Sequence, residues 1–332
     1  MKIDENASLR PFNTFGLDAR ARVLAQYDSA DELRALIEGG LLGGSRAIHV
    51  GRGSNLLFVS DCFDGVVLHS RIEGLEIGPD ATVKAGAGMT FDALVEVTVN
   101  AGLSGLENLS LIPGEVGASA VQNIGAYGVE AADRIVCVDT VDMTDGSSRC
   151  FEASECGYGY RDSIFKHPDF KHYAVTSVTF RLDREFAPVL TYRGLAEAME
   201  NRELTPRAVR DAVIDLRRSK LPDPDKLGNG GSFFKNPVVP AAKARELQKE
   251  YPAMPSWLVG NDAVKLSAGW LIEQCGWKGH SLGRAGVYGR QALVLVNLGG
   301  ATGREIAALA EAVTSDVYER FGVRLSPEVN FL

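Results

Sequence analysis

The sequence predicts a mixed α and β protein of two or three domains, and three observations carry that reading. Its 332 residues exceed the length at which one hydrophobic core stops growing. Strand and helix signals alternate to about residue 184, without the long single-period runs of an all-helical or all-β chain. Residues 185 to 226 are rich in arginine, proline and helix formers and end in an extended stretch at Pro222 and Pro224, after which a separate α/β pattern begins. With 45% hydrophobic and 23% charged residues, the composition supports folded cores rather than extensive disorder.

The elements follow in order. Ser29 and Glu32 stand at capping-box spacing before the apolar stripe Leu33, Leu36 and Ile37, which predicts a helix from Ser29 to Ile37. Ala47 to Val50 reads as a strand entering the turn GRGSN. Gly65 to His69, Ala81 to Ala85 and Ile135 to Met143 read as further strands, the last closed by the turn Thr144-Asp145-Gly146, with a helix over Phe91 to Val99 among them. Beyond Pro224, Leu266 to Cys275 predicts a helix and Gln291 to Asn297 a buried strand. Thr302 to Phe321 predicts a long helix, with Thr302 and Glu305 as a capping box and Gly322 at its end. The last residues, VRLSPEVNFL, read as an extended tail. NGGSFFKNP, residues 229 to 237, reads as a tight turn leading into a short apolar strand, Phe233 and Phe234, that stops at Pro237.

Charge and special residues narrow the function. A net charge of −8, with no block of like charges, disfavours nucleic acid and anionic membranes as main partners. The five cysteines, 62, 137, 150, 156 and 275, contain no C-x-x-C pair, so neither zinc nor an iron–sulfur cluster has local support, and reduced cytosolic thiols are expected. The five histidines contain no HExxH, and no metal is expected. MKIDENASLRPFN has no apolar core of signal-peptide length and no apolar run is long enough to span a membrane; a soluble, cytoplasmic protein is expected. Nothing demands an oligomer, so a monomer is the default.

Some stretches carry more than fold. In GRGSN, Gly51 and Gly53 would let backbone amides approach an anion while Ser54 and Asn55 add donors, although a plain hairpin turn explains the same residues. It lacks the third glycine and the following helix of a dinucleotide fingerprint. The run 102 to 128, GLSGLENLSLIPGEVGASAVQNIGAYG, is glycine-rich and carries little charge apart from Glu107 and Glu115. A loop of that length inside a compact domain is functional or disordered, and Leu111, Ile112, Val116, Val121 and Ile124 argue against disorder. Backbone wrapped around an extended ligand, such as a dinucleotide, fits it. YGYRDSIFK offers Arg161, LTYRGL offers Tyr192, NGGSFFKNP offers Ser232, Lys235 and Asn236, and SPEVNF offers Glu328. Singly, each is explained by a turn or a surface ion pair. Together they supply an anion clamp, a hydroxyl donor and a carboxylate, the parts needed to bind a carboxylate substrate and protonate the carbon beside it.

The ordered set NTFGLDARA, GRGSNLLF, GLENLSLIPGEVGASAVQNIGAYG, YGYRDSIFK, KLPDP, GNGGSFFKNP, KLSAGWLIEQCGWKG, QALVLVN and SPEVNF resembles the UDP-N-acetylenolpyruvoylglucosamine reductases, flavoenzymes that make UDP-N-acetylmuramic acid for bacterial peptidoglycan. The resemblance covers nearly the whole chain. It implies an α+β fold with a two-part FAD-binding region of the vanillyl-alcohol-oxidase (PCMH) type, residues 1–70 and 71–219, then a C-terminal α/β substrate-binding domain, 220–321, with the tail 322–332 returning to the first part. It also implies a reaction in which NADPH reduces FAD and leaves, the enolpyruvyl substrate takes the same cleft, hydride passes from flavin N5 to C3, and C2 is protonated. The segment around LTYRGL resembles the subgroup whose mobile tyrosine loop covers the substrate diphosphate.

The resemblance assigns roles residue by residue. Arg161 matches the arginine that pairs with the enolpyruvyl carboxylate, Glu328 the glutamate that stabilises or protonates the intermediate, and Ser232 the serine that delivers the C2 proton. Tyr192, Lys220, Asn236 and Gln291 align with substrate-binding positions. Flavin contacts fall on Gly51, Arg52, Gly53, Ser54 and Asn55, on Pro113, Gly114, Gly117, Ala118 and Ser119, and on Gln122, Asn123, Gly125, Ala126, Tyr127 and Gly128. The sequence departs from the commoner pattern at Arg52, where glutamate is frequent, and at GASAV, where a proline or second glycine is common. Two rival readings are a flavin oxidase or dehydrogenase of the same fold with another substrate, which would not require Arg161, Ser232 and Glu328 together, and a non-enzymatic nucleotide-binding module.

Overall fold

The computed structural model describes residues 1–332 apart from the side chain of Arg193. The chain divides into two compact units, one of residues 1–7, 21–52 and 64–219, the other of 8–20, 53–63 and 220–332. Its helices are α1 (Ala30–Glu38), α2 (Phe91–Asn100), α3 (Val116–Gln122), α4 (Arg193–Met199), α5 (Pro206–Lys220), α6 (Ala241–Glu250), α7 (Ala268–Gln274) and α8 (Gly303–Phe321).

In the first unit a four-stranded sheet runs in the order Lys2–Ser8, Arg20–Tyr27, Cys62–Ser70, Ala47–His49. The last two strands are parallel, with His49 opposite Leu68. α1 forms as expected: Ser29 accepts from Glu32 N at 3.1 Å, and Leu33 and Leu36 are buried with Ala25, Tyr27, Val66 and Leu68. A five-stranded antiparallel sheet follows, in the order Ser148–Glu152, Ile135–Asp142, Tyr173–Arg181, Thr82–Gly86, Leu75–Ile77. α2 buries Phe91, Leu94 and Val95 in a core shared with Val83, Val138, Val178 and Phe180 of that sheet, and Phe91 meets Phe180 edge-on at 6.3 Å.

The run 102–128 is not one irregular loop. It contains a single 3-10 turn at Glu107–Leu109 and the helix α3. Val116 and Ala120, four residues apart, are fully buried, while Gly117, Ala118 and Ser119 between them are too small to print a helical period on the sequence. Asn123 ends the helix in the left-handed region, at φ 45°.

The second unit holds a sheet in the order Asn229–Ser232, Val294–Asn297, Ala285–Val287, Ser281–Leu282, and a second in the order Val238–Pro240, Ala263–Leu266, Ser256–Val259. α8 buries Ile306, Leu309, Ala310, Val313 and Val317, one stripe at helical spacing. Both halves of the Thr302/Glu305 capping box are present, and Gly322 closes the helix at φ 64°. NGGSFFKNP folds differently from expectation. The strand is the glycine-bearing part, Asn229–Ser232, and Phe233 and Phe234 lie beyond it as buried anchors. A Cβ on Gly228 would stand 2.2 Å from the Phe15 carbonyl oxygen, and one on Gly230 would stand 2.7 Å from the Phe15 ring. Only glycine lets the chain pass there.

Candidate active site

Within the first unit, two of the expected flavin-binding stretches meet. Val50 N donates to Leu68 O at 2.8 Å, which leads the chain out of the Ala47–His49 strand into Gly51. A Cβ on Gly51 would lie 2.8 Å from Glu115 Oε2, so the turn rests on the residue that precedes α3. Glu115 is 6% exposed, and His69 Nε2 is 3.9 Å from its Oε1, beyond hydrogen-bond range. Burial pushes the Glu115 carboxyl up to about 8, with Arg52 pulling the other way, so it carries a proton at neutral pH. Burial lowers His69, whose Nδ1 donates to Val50 O at 2.9 Å.

The segment before α3 is clamped by two helices. Leu111, at φ 57°, donates its N–H to Asp92 Oδ1 at 2.6 Å, and Asp92 also receives Arg210 Nη1 at 2.6 Å and Nη2 at 3.1 Å. Arg217 Nε donates to Leu111 O at 3.2 Å. α2 thus fixes the Leu111 amide and α5 its carbonyl, an arrangement that holds a non-glycine residue in the left-handed region. After α3, the Asn123 side chain is spent inside the fold: Nδ2 donates to Glu130 Oε2 and Gly159 O, both at 2.9 Å, and Oδ1 accepts from Ala132 N at 3.0 Å. Gln122 Oε1 accepts from Lys166 Nζ at 3.0 Å. Arg161, at φ 56°, donates its guanidinium to Gly125 O, and its own carbonyl accepts from Lys166 at 2.7 Å. Tyr192 immediately precedes α4, is 43% exposed, and stands edge-on to Tyr127 at 5.0 Å.

The second unit gathers another set. Gly53, at φ 66°, packs so tightly that a Cβ would lie 1.9 Å from Phe12 O. Asn55 Nδ2 donates to Glu328 O at 3.2 Å, and Asn330 N donates to Asn55 O at 3.0 Å. The tail continues as a short strand, Asn330–Phe331, parallel to Leu56–Leu57. Ser232 is exposed at the end of its strand, opposite Val294. The next residue, Phe233, accepts at its carbonyl from Glu328 N at 2.8 Å, which ties the glutamate-bearing tail to the serine loop. Asn236 Oδ1 accepts from Ala268 N at 3.0 Å at the start of α7. Gln291 Oε1 accepts from Leu293 N at 3.3 Å and would lie 3.3 Å from a Cβ on Gly269 of that helix. Lys220, the last residue of α5, opens the long C-terminal segment of this unit. Ser232, Glu328, Asn236, Gln291 and Gly53 to Asn55 therefore share one unit, and Arg161, Tyr192, Gly51, Arg52 and residues 113 to 128 share the other.

Residues 21–150 match the FAD binding domain family, and residues 223–332 match the UDP-N-acetylenolpyruvoylglucosamine reductase C-terminal domain. The UDP-N-acetylenolpyruvoylglucosamine reductase of Bacteroides fragilis is 48% identical over 99% of this chain and 100% of its own length, and that of Porphyromonas gingivalis is 46% identical over 100% of both. The chain belongs to the UDP-N-acetylenolpyruvoylglucosamine reductase family. The crystal structure of the Thermus caldophilus reductase shares the fold, with a TM-score of 0.70 at 23% identity, covering 100% of this chain and 99% of that one. The architecture is thus an FAD-binding domain of the PCMH type with the family's C-terminal domain, and the protein is an FAD-dependent oxidoreductase.

For a member of this reductase family, the donor chemistry of the first unit suits FAD. Glycine backbone at Gly51 adjoins Glu115, the one carboxyl at that contact is neutral, and Arg52 adds a positive charge, which together tolerate a diphosphate. The sequence reading missed Asp92, Arg210, Arg217 and His69 altogether. Asp92 and Arg210 look like ordinary polar positions of amphipathic helices, and His69 like an outward position of a strand. Each acts through a partner distant in sequence, so no local spacing marks it.

Proposed function

We propose that the protein reduces the enolpyruvyl group of UDP-N-acetylglucosamine enolpyruvate to give UDP-N-acetylmuramate, with NADPH as the reductant, in peptidoglycan precursor synthesis. Full-length identity of 46–48% to reductases of that name is the observation that carries the reading. When bound, FAD would supply the hydride chemistry that links NADPH to C3 of the enolpyruvyl group.

The chain's own residues supply the rest. Arg161 pairs with the substrate carboxylate, where negative charge accumulates once C3 is reduced, so its interaction strengthens in the transition state. Ser232 delivers the proton to C2, and Glu328 stabilises the intermediate beside it; the backbone bond from Glu328 N to Phe233 O supports their cooperation. An ordinary serine hydroxyl is a weak acid, and Lys235, three residues on, is the cation of the same loop that can support its loss of a proton. Lys220 and Tyr192 take the diphosphate, and Asn236 and Gln291 the remaining polar groups of the substrate. The exposed Tyr192 supports membership of the subgroup with a mobile tyrosine loop. Residues 1–70 with the tail and 71–219 form the two flavin-binding parts, and 220–321 the substrate domain. NADPH and the sugar nucleotide use one cleft in turn, in a monomeric cytoplasmic enzyme.

The test is a two-step anaerobic titration. The purified protein is yellow, NADPH bleaches it, and UDP-N-acetylglucosamine enolpyruvate restores the colour with formation of UDP-N-acetylmuramate. Bleached enzyme that the enolpyruvyl substrate leaves colourless refutes the reading.

A further inference from the structure

Glu115 is a buried acid in a stretch that otherwise presents backbone and small side chains. Its carboxyl lies against the Gly51 backbone, which ties the GRGSN turn to the entry of α3. Two titratable side chains approach that pair of turns from neighbouring elements: Arg52 from the turn itself and His69 from the Cys62–Ser70 strand. Behind them, Tyr27 of the Arg20–Tyr27 strand donates its hydroxyl to His49 Nε2 at 2.5 Å, and Arg71 faces His69 while paired with Asp28 at 2.6 Å. The imidazole of His69 is oriented by its bond to Val50 O, so its Nδ1–H is spent there and not on Glu115. A carboxylate at Glu115 would lie 3.9 Å from His69 Nε2, too far for a hydrogen bond, while Arg52 lowers the cost of ionising it. A protonated carboxyl has a hydrogen to give to an acceptor brought by a ligand.

We propose that Glu115, backed by His69, is a proton-holding residue of the flavin cradle, which must keep its proton for the anionic cofactor to stay bound. The inference rests on FAD lying at the flavin contacts expected at Gly51, Arg52, Pro113, Gly114 and Gly117. The physics is that of linked equilibria. An anion beside Glu115 raises the cost of ionising it, so the bound state holds a proton that the free state loses as the solution turns alkaline. With the carboxyl titrating near 8 in the free protein, each pH unit above that value weakens FAD binding by about tenfold for one linked proton. His69 is neutral throughout that range.

The experiment dilutes the holoenzyme and follows recovery of free-FAD fluorescence, giving a dissociation constant from pH 6.5 to 9.5 over the range in which far-ultraviolet circular dichroism is unchanged. The wild type is expected to weaken by about fivefold between pH 8 and 9, approaching tenfold per unit above that. Glu115→Gln, a neutral isostere, is expected to lose that dependence whatever its affinity at pH 7. A wild-type constant that stays flat to pH 9.5, which needs no variant to observe, overturns the proposal, as does a Glu115→Gln enzyme that weakens as steeply as the wild type. Retention and turnover are separate readouts. Reduced flavin that the enolpyruvyl substrate fails to reoxidise refutes the proposed reaction, whereas flat retention with normal reoxidation refutes only the role of Glu115.

Discussion

Replacing Asp92 by alanine tests how the glycine-rich segment is held. Asp92 is 31% exposed at its side chain, but its partner Arg210 is only 5% exposed, and the same carboxylate accepts the Leu111 N–H. Removing one member of a fully buried pair costs about 3–5 kcal/mol because the other charge is stranded, and the partial exposure of Asp92 discounts this to about 2–3 kcal/mol. For a unit of this size that corresponds to a fall in Tm of roughly 5–10 °C. The sign with pH is also fixed. Burial by itself would raise the Asp92 carboxyl, and the bonds from Arg210 and Leu111 outweigh it, leaving it below the usual carboxylate range. Its contribution is therefore present above the unfolded value of about 3.9 and lost as pH falls through the folded one. Calorimetry of wild type and Asp92→Ala at pH 7 and pH 3.5 is the assay, with flavin fluorescence to report whether a freed Leu111 loosens the cofactor. A variant within about 1 kcal/mol of wild type at pH 7 would refute the clamp, because that is the worth of an exposed pair.

Three further outcomes follow from named contacts. Ser232→Ala is expected to leave flavin reduction by NADPH nearly intact and to slow reoxidation by the enolpyruvyl substrate by about 10²–10⁴-fold, as loss of a proton donor does; equal loss in both stopped-flow half-reactions would assign the serine a structural role. Burial lowers His49 to about 4, so its contribution to stability is present above pH 6.5 and withdrawn as pH falls toward 4, by up to about 3 kcal/mol. Urea unfolding at pH 7, 5.5 and 4.5 reads this, and His49→Asn is expected to flatten the profile. Gly303→Ala sets two effects against each other: alanine is the better helix former by about 1 kcal/mol, yet its Cβ would lie 1.7 Å from Phe58 O, and overpacking costs about 3 kcal/mol or more in such a place. Net destabilisation is expected, and a variant more stable than wild type would show that the backbone there yields freely.

What the sequence discloses depends on how local the cause is. α1 and α8 are legible because the residues that cap them, Ser29 and Thr302, stand next to the stripes they introduce. α3 is hidden because its buried face is made of Val116 and Ala120 with small residues between, so no apolar period appears. The bond between Arg210 and Asp92 spans 118 residues, and neither residue's neighbourhood hints at the other. Glu115 is, with Glu107, one of two charges in an otherwise uncharged run, but its neutrality follows from burial beside Gly51 and His69, which only the fold brings about. The roles expected of Arg161, Ser232 and Glu328 rest on family resemblance and not on spacing, since each segment alone is an adequate turn.

The glycines show how a local reading can identify the right residue for the wrong reason. In GRGSN and NGGSFFKNP they suggest turns and ligand approach, and that is part of their use. Yet the second unit is assembled from three stretches of chain, and glycines sit where those stretches touch. Gly53 lies on Phe12, Gly228 and Gly230 lie on Phe15, and Gly303 lies on Phe58, each at a distance no Cβ could occupy. Asn229 adds to the same seam: its N–H donates to Thr14 O at 2.9 Å, and its carbonyl accepts from Thr14 Oγ1 at 2.6 Å. The entropy that glycine gives up on ordering is offset by backbone packing that larger residues would forbid. Ser232 inherits its position from that seam, since Gly228 and Gly230 are held by Phe15 on one side and Phe233 is held by Leu293 and the tail on the other. The proton delivery proposed for Ser232 calls for a hydroxyl on a strand that cannot slide, and the close glycine contacts are what prevent the slide.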